Sequence, residues 1–232
     1  MNGPASAAGA RFHEQLASSW TNAYENGSFN RRLHFFLPHL DRLVQNDSVW
    51  LDAGCGSGVL ARELAARGAR VIGMDGSPAM IAHAAATESP GIRIDYKVIS
   101  TIEQLPLGSS TINGILCSSV LEYADDPVAT LREFHRVLVP AGTVLVTVPN
   151  FFSVIRIAQS LARCVGCTLG RSWFPYLAVS RHAYSALVYR TLLEKAGFEV
   201  TRIEPFSPFI PHLLAPLQLS ALWLAVARKT AA

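Results

Sequence analysis

A chain of 232 residues can bury one sizeable core but not two large ones. Half of it is hydrophobic and 16% is charged, which excludes a disordered chain, and a net charge of +3 gives no ground for a nucleic-acid partner. The opening MNGPASAAGAR has no continuous apolar run and does not read as a secretory signal. Cys55, Cys117, Cys164 and Cys167 make no disulfide framework, so a reducing cytoplasm is the expected compartment.

In chain order, helical spacing runs over about 12–24 and again over about 31–44. A short apolar strand at 49–51 leads into a glycine turn, followed by a helix over about 59–67 that Gly68 stops. A second strand covers 70–74, and Ser77–Pro78 opens a helix with Ser as N-cap and Pro in the first turn. A third strand is expected over 92–99 and a fourth over 112–117. Asp126–Pro127 opens a helix ending near Leu138; a turn at Pro140–Ala141–Gly142 then precedes a β-branched strand over 143–148.

Beyond Pro149 the chain is apolar, with scattered Arg156, Arg163 and Arg171, until a helix over 184–196 and a strand from Phe198 to Ile203. The segment 206–226 carries no formal charge and has the length to cross a bilayer. Pro208, Pro211 and Pro216 interrupt it, so an apolar loop feeding a last strand over 221–227 is expected instead. The alternation of strand and helix predicts an α/β fold with a mostly parallel sheet. One domain over 1–232 is expected, divided into a helical cover (11–48), a binding core (49–150), an apolar lid insertion (151–183) and a C-terminal helix with strands (184–232).

The chemistry concentrates in Leu51-Asp52-Ala53-Gly54-Cys55-Gly56-Ser57-Gly58, set between a strand and a helix. Its glycines permit a sharp turn and close ligand approach, and the helix start offers free N–H groups. A dinucleotide site wants a third glycine where Val59 stands, and Asp52 would repel a pyrophosphate while accepting from an ammonium group. Both features disfavour a nicotinamide-dependent dehydrogenase. Asp75 ends the second strand at the spacing from which an acid reaches a ribose diol.

LDAGCGSG, GMDGSPAM, SSVLEYADDP and PAGTVLVTVPN resemble successive motifs of the class I S-adenosylmethionine-dependent methyltransferase family, over about 49–150. The resemblance implies a Rossmann-like seven-stranded, mostly parallel sheet with helices on both faces and an antiparallel last strand. It implies S-adenosylmethionine as cofactor, S-adenosylhomocysteine as product, and methyl transfer from a sulfonium to a nucleophile. By position, Asp52, Gly54, Gly56 and Gly58 would surround the methionine part, and Asp75 would bind the ribose hydroxyls. Gly76, Ser77 and Met80 would lie near ribose and adenine, with Ser118 also lining the cofactor. Alignment on Leu105–Pro106 puts Thr101 where many members have an adenine-contacting Asp, so Thr101 and Ile102 are expected there. Tyr24 and Arg31 or Arg32 fall in a segment resembling the N-terminal cover that touches the methionine carboxylate; Arg32 is taken as the candidate.

The wording is nearest to ubiquinone-biosynthesis O-methyltransferases, which carry Thr-Val-Glu after the third strand, Leu-Glu-His after the fourth and a long apolar insertion after the fifth. Tyr123 stands in place of that His, which puts a base or metal role there in doubt, and it is expected to shape the acceptor pocket. Glu122 reads as a packing or capping acid, and no metal site is expected. Asp125 and Asp126 read as helix caps. A protonated acceptor needs a general base, for which His182 is the candidate. His34, His39 and His135 read as solvated, and the lone Cys164-Val-Gly-Cys167 as apolar packing. The apolar insertion points to a small hydrophobic or aromatic hydroxyl acceptor, and its arginines to peripheral membrane contact through 151–179. N- or C-methylation of a natural-product scaffold, and non-catalytic S-adenosylmethionine binding, stay open, as does the choice between monomer and homodimer.

Overall fold

Along each central strand, alternate side chains enter two different cores. In a computed structural model, which describes residues 5–14, 27–87, 94–207 and 220–230, β1 (Val49–Ala53) sends Leu51 and Ala53 to one face and Trp50 to the other. β4 (Ile112–Cys117) and β5 (Leu138–Pro149) do the same: Ile115, Cys117, Val144 and Val146 face one way, Leu116 and Leu145 the opposite way. A strand buried on both faces has to be apolar at every step, which is why these runs lack the polar alternation of a half-exposed sheet.

Helices cover both faces. α1 (Ala5–Glu14) and α2 (Gly27–Leu43) precede β1. α2 buries Phe36 and Leu40 beside Leu60 and Leu64 of α3 (Val59–Ala66), against Trp50. Between α3 and β4 come β2 (Arg70–Asp75), α4 (Pro78–Ala86) and β3 (Ile94–Val98). The opposite face is closed by Leu131 and Phe134 of α5 (Pro127–Val137) and by Tyr189 and Leu193 of α7 (Ala186–Lys195). Each such side chain contributes about 2 kcal/mol by leaving water. Between α5 and α7 lie β5 and α6 (Val154–Thr168). β6 (Phe198–Phe206) and β7 (Leu222–Lys229) end the chain's described structure. The strand order is β3-β2-β1-β4-β5-β7-β6, with β7 antiparallel to both neighbours, as the resemblance implies.

Several boundaries move. The first helix starts at Ala5 and ends at Glu14; 15–26 lie outside the described residues. The turn expected at Pro140–Ala141–Gly142 is a bulge inside one long strand. Ile112 pairs with Leu138 and Gly114 with Thr143, so the four residues between are looped out, with Ala141 at φ 60°. β7 is confirmed as the closing strand, while 208–219 of the apolar segment lie outside the described residues. Among the described residues no helix is long and apolar enough to cross a membrane.

Candidate functional site

The sheet order reverses between β1 and β4, and in open α/β sheets the crevice for a ligand lies beyond the strand ends at such a reversal. A cavity of about 550 Å³ opens there. Its floor is the glycine loop after β1. Gly54 and Cys55 both donate their N–H groups to the Met74 carbonyl, at 2.7 and 3.0 Å, which ties the loop to β2. Gly54 has φ +78°, and a Cβ there would lie 2.1 Å from Val120. No other residue type fits both the conformation and the space.

Asp75 braces the same loop: its carboxylate accepts from Gly56 N at 2.9 Å and from Ser77 N at 2.8 Å. Asp52 is 2% exposed and its Oδ2 has no partner. Burial pushes its carboxyl up to about 7, and the charge of Asp75 adds to the effect. A buried carboxylate oxygen without a donor is costly, and a ligand ammonium beside it would supply the missing partner. Asp75 is also raised by burial, opposed by its bonds from Ser77 and Gly56 and by His13.

Asp52, Gly54, Gly56, Asp75, Gly76, Met80, Thr101, Ile102 and Ser118 all line this cavity. Gly58 and Ser77 stand behind the lining. Gly58 is the N-cap of α3 at φ +76°, and Ser77 caps α4 by accepting from Met80 N at 3.2 Å. The Thr101 hydroxyl bonds Glu103, whose other oxygen holds Asp125 N at 2.9 Å. Arg32 lines the cavity, with its guanidinium 5.2 Å from the Phe29 ring centre. Tyr24 lies outside the described residues.

The two expected catalytic residues part company. Tyr123 lines the cavity. His182 is not brought to it: its Nε2 donates to the Ala124 carbonyl at 3.0 Å, and its ring stacks on Tyr184 at 6.3 Å between centres. Backbone N–H groups of Arg181 and His182 bond the Glu122 carbonyl at 2.9 and 3.3 Å, so this stretch fastens the end of the insertion to the turn after β4. Asp126 caps α5 as expected, but Asp125 instead faces Arg181 at 3.4 Å.

Other expectations are corrected. Glu122, read as a packing or capping acid, is packed inside and not a cap: it is 3% exposed, lines the cavity, and its Oε2 is unpartnered. Cys164 and Cys167 are exposed on α6 and not packed, because the helix turns that side to solvent. His39 is half-buried and lies 3.7 Å from Glu204, and His135 packs edge-on against Phe198.

Several lining residues carry no signal in the motif region. α1 supplies Gly9, Arg11 and His13, and Gly9 lets it approach Tyr123 closely. Arg156 of α6 and Tyr176 of the single turn Pro175–Ala178 come from the insertion. Only the insertion's fold-back over the β4 turn reveals them.

The chain matches the family described as methyltransferase domain over residues 51–146. A ubiquinone biosynthesis O-methyltransferase of Cereibacter sphaeroides is 31% identical over 209 residues, 80% of each chain. One of Pseudomonas aeruginosa is 33% identical over 102 residues, 43% of this chain and 44% of the relative, so the match spans less than half of that relative's length. Among solved structures, an S-adenosylmethionine-dependent methyltransferase from Methanosarcina mazei superposes with a TM-score of 0.66 at 21% identity, covering 84% of this chain and 98% of that one. Another, from Mesorhizobium loti, gives 0.63 at 22%, covering 83% and 96%. These two show the fold. The glycine cradle and the partnerless Asp52 oxygen fit S-adenosylmethionine, the cofactor of that family. With the similarity to the Cereibacter enzyme over 80% of each chain, they place the chain in the class I S-adenosylmethionine-dependent methyltransferase family.

Proposed function

We propose that this protein transfers a methyl group to a hydroxyl of a small, hydrophobic, aromatic acceptor. The observation that carries the reading is one cavity with two kinds of wall. Asp52, Gly54, Gly56 and Asp75 give it polar walls, while Phe29, Tyr123, Tyr176 and Leu222 give it aromatic and apolar ones. The names of the ubiquinone-biosynthesis relatives support a hydroxyl acceptor.

S-adenosylmethionine supplies a methyl group already activated on a sulfonium, so the protein chiefly positions, desolvates and deprotonates. Asp52 holds the ammonium of the methionine part and Asp75 the ribose hydroxyls. Met80, Thr101 and Ile102 wall the adenine, with Gly76 beside the ribose. Ser118 lies on the methionine side with Arg32 near the carboxylate. Gly58 and Ser77 act through the helix starts that they shape.

The insertion 151–183 is the acceptor-side lid of a single domain, since it contributes Arg156 and Tyr176 to the wall. Its outer surface suits peripheral contact with an anionic bilayer. Val154, Ile157, Leu161, Val165 and Leu169 are exposed at helical spacing, and Phe151 and Phe152 extend the patch. From 151 to 190 the chain has Arg156, Arg163, Arg171, Arg181 and Arg190 and no acidic residue, which complements anionic headgroups.

The test is calorimetric titration with S-adenosylmethionine and NAD, followed by a labelled-methyl screen of alkyl-substituted phenols and catechols against amines of the same shape. Binding of the sulfonium compound with methylation of the phenols is expected. Methylation confined to the amines would sink the hydroxyl reading.

A further inference from the structure

Four polar side chains from four parts of the chain line the one cavity. Arg32 comes from α2, Glu122 from the turn after β4, Arg156 from α6 and Tyr176 from the turn beyond it. Glu122 is 3% exposed, and its Oε2 has no hydrogen-bond partner. Tyr123, next to it in the chain, lines the same cavity. Arg156 is fixed by donation from Nη2 to Ser180 Oγ at 2.9 Å, and Tyr176 by donation to Gln159 at 2.6 Å. Among the described residues neither Arg32 nor Arg156 has a carboxylate within ion-pair distance, and Arg32 Nε is itself buried without a partner. A buried carboxylate oxygen left without a partner beside a cavity that Arg156 also lines is expensive to keep. The two make sense as half of an interaction whose other half is the acceptor.

We propose that Glu122 takes the proton from the acceptor hydroxyl, while Arg156 holds the negative charge that develops on its oxygen. The inference rests on the hydroxyl reading above and names the residues that perform it. As the hydroxyl oxygen bonds to the methyl carbon, the carbon–sulfur bond breaks with its electron pair left on sulfur, and the hydroxyl proton passes to Glu122. With Glu122 then neutral, the Arg156 guanidinium faces the oxygen, an arrangement that favours phenolate over phenol and disfavours a protonated amine. The groups facing Glu122 are Arg156, Tyr123, Arg32, Tyr176 and, from β4, Cys117. Burial raises its carboxyl and the two arginines and Tyr123 pull it back, which suits a group that must hold a proton briefly and release it. His182, tied to Ala124, is not needed for the step.

The experiment compares wild type, Glu122→Gln and Arg156→Met on two probes: tert-butylcatechol, whose hydroxyl is protonated at neutral pH, and nitrocatechol, whose acidic hydroxyl is already largely ionised. Glu122→Gln is expected to lower kcat on tert-butylcatechol about a hundredfold. The loss should shrink as pH rises, and it should be within a few-fold on nitrocatechol, with S-adenosylhomocysteine affinity unchanged by calorimetry. Equal losses on both probes, or a parallel loss of S-adenosylhomocysteine affinity, would mean that Glu122 only packs the site and would overturn the proposal.

A second readout needs no turnover. The absorbance of nitrocatechol bound to the S-adenosylhomocysteine-loaded protein reports its ionisation, and Arg156→Met should raise its apparent pKa by about one. No change would remove Arg156 from the step. Should wild type methylate neither probe yet shift the bound nitrocatechol, the transfer reading falls and the charge arrangement stands. Should the loaded protein bind neither probe, the proposal falls while cofactor binding stays separately measurable.

Discussion

At the scale of single residues, Asp52 sets a conflict between stability and binding. Its carboxyl is raised from an ordinary 3.8 to about 7 because it is buried without a donor for Oδ2. The folded chain therefore holds this proton more tightly than the unfolded chain does. The resulting stability is complete below the unfolded value near 3.8 and is lost as pH rises to about 7. Asp52→Asn should thus make the ligand-free protein more stable than wild type at pH 8, by on the order of a few kcal/mol in denaturant unfolding. The same change should weaken S-adenosylhomocysteine binding at least tenfold, since the ammonium loses its charged acceptor. In the wild type, binding requires the ionised form, so affinity should fall about tenfold between pH 8 and pH 6, with proton uptake or release visible when calorimetry is repeated in different buffers. A flat pH profile would show that Asp52 does not meet the ammonium.

Among the secondary elements, the turn after β1 and the insertion make opposite demands. The turn has no slack. Gly54 sits at φ +78° with Val120 where a Cβ would go, so Gly54→Ala should cost about 3 kcal/mol or more and lower cofactor affinity. Val120→Ala in the same chain should recover the steric part of that loss, but not the backbone strain; full recovery would show that the conformation costs nothing. The insertion keeps an apolar face in solvent, with Leu161 at 65% and Phe152 at 63% exposure. Leu161→Glu should lower sedimentation with phosphatidylglycerol vesicles about tenfold while leaving cofactor affinity as it was. Equal binding of wild type and variant would assign that face to something other than lipid. The insertion was read from the sequence as an apolar, Arg-dotted lid on the acceptor side, but not as the source of Arg156 and Tyr176 in the cavity wall. Arg156 and Ile157 are adjacent, yet one faces the cavity and the other solvent. Composition does not tell one helix face from the other until there is a sheet to pack against.

For the molecule as a whole, the cavity joins parts that lie far apart in sequence: α1, the β1 and β2 ends, the β4 turn, the insertion and the start of β7. A ligand that touches so many elements should stabilise the fold as a unit. At a hundredfold excess over its dissociation constant, S-adenosylhomocysteine should raise the unfolding free energy by about 2.7 kcal/mol, and NAD should leave it unchanged. A stabilisation by NAD of similar size would reopen the dinucleotide reading of the glycine loop.

The sequence by itself determined the alternating architecture, the glycine loop, the Asp75 position and the family. These are local matters: period-two burial, a turn only glycine can make, and an acid at a fixed distance along one βαβ unit. The bulge at Ala141 was legible as a turn, but not as part of a continuous strand, because only the pairing of β5 with β4 shows that the ladder resumes beyond it. The tertiary structure alone decided which distant residues share the cavity. It buried Glu122, which reads locally as a packing or capping acid, and tied down His182, which reads locally as a base. It also brought Arg32 and Arg156 to one cavity from 124 positions apart, counting from 32 to 156. What a titratable side chain does depends on its desolvation and on the charges facing it, and those come from the packing of distant segments, not from its neighbours in sequence.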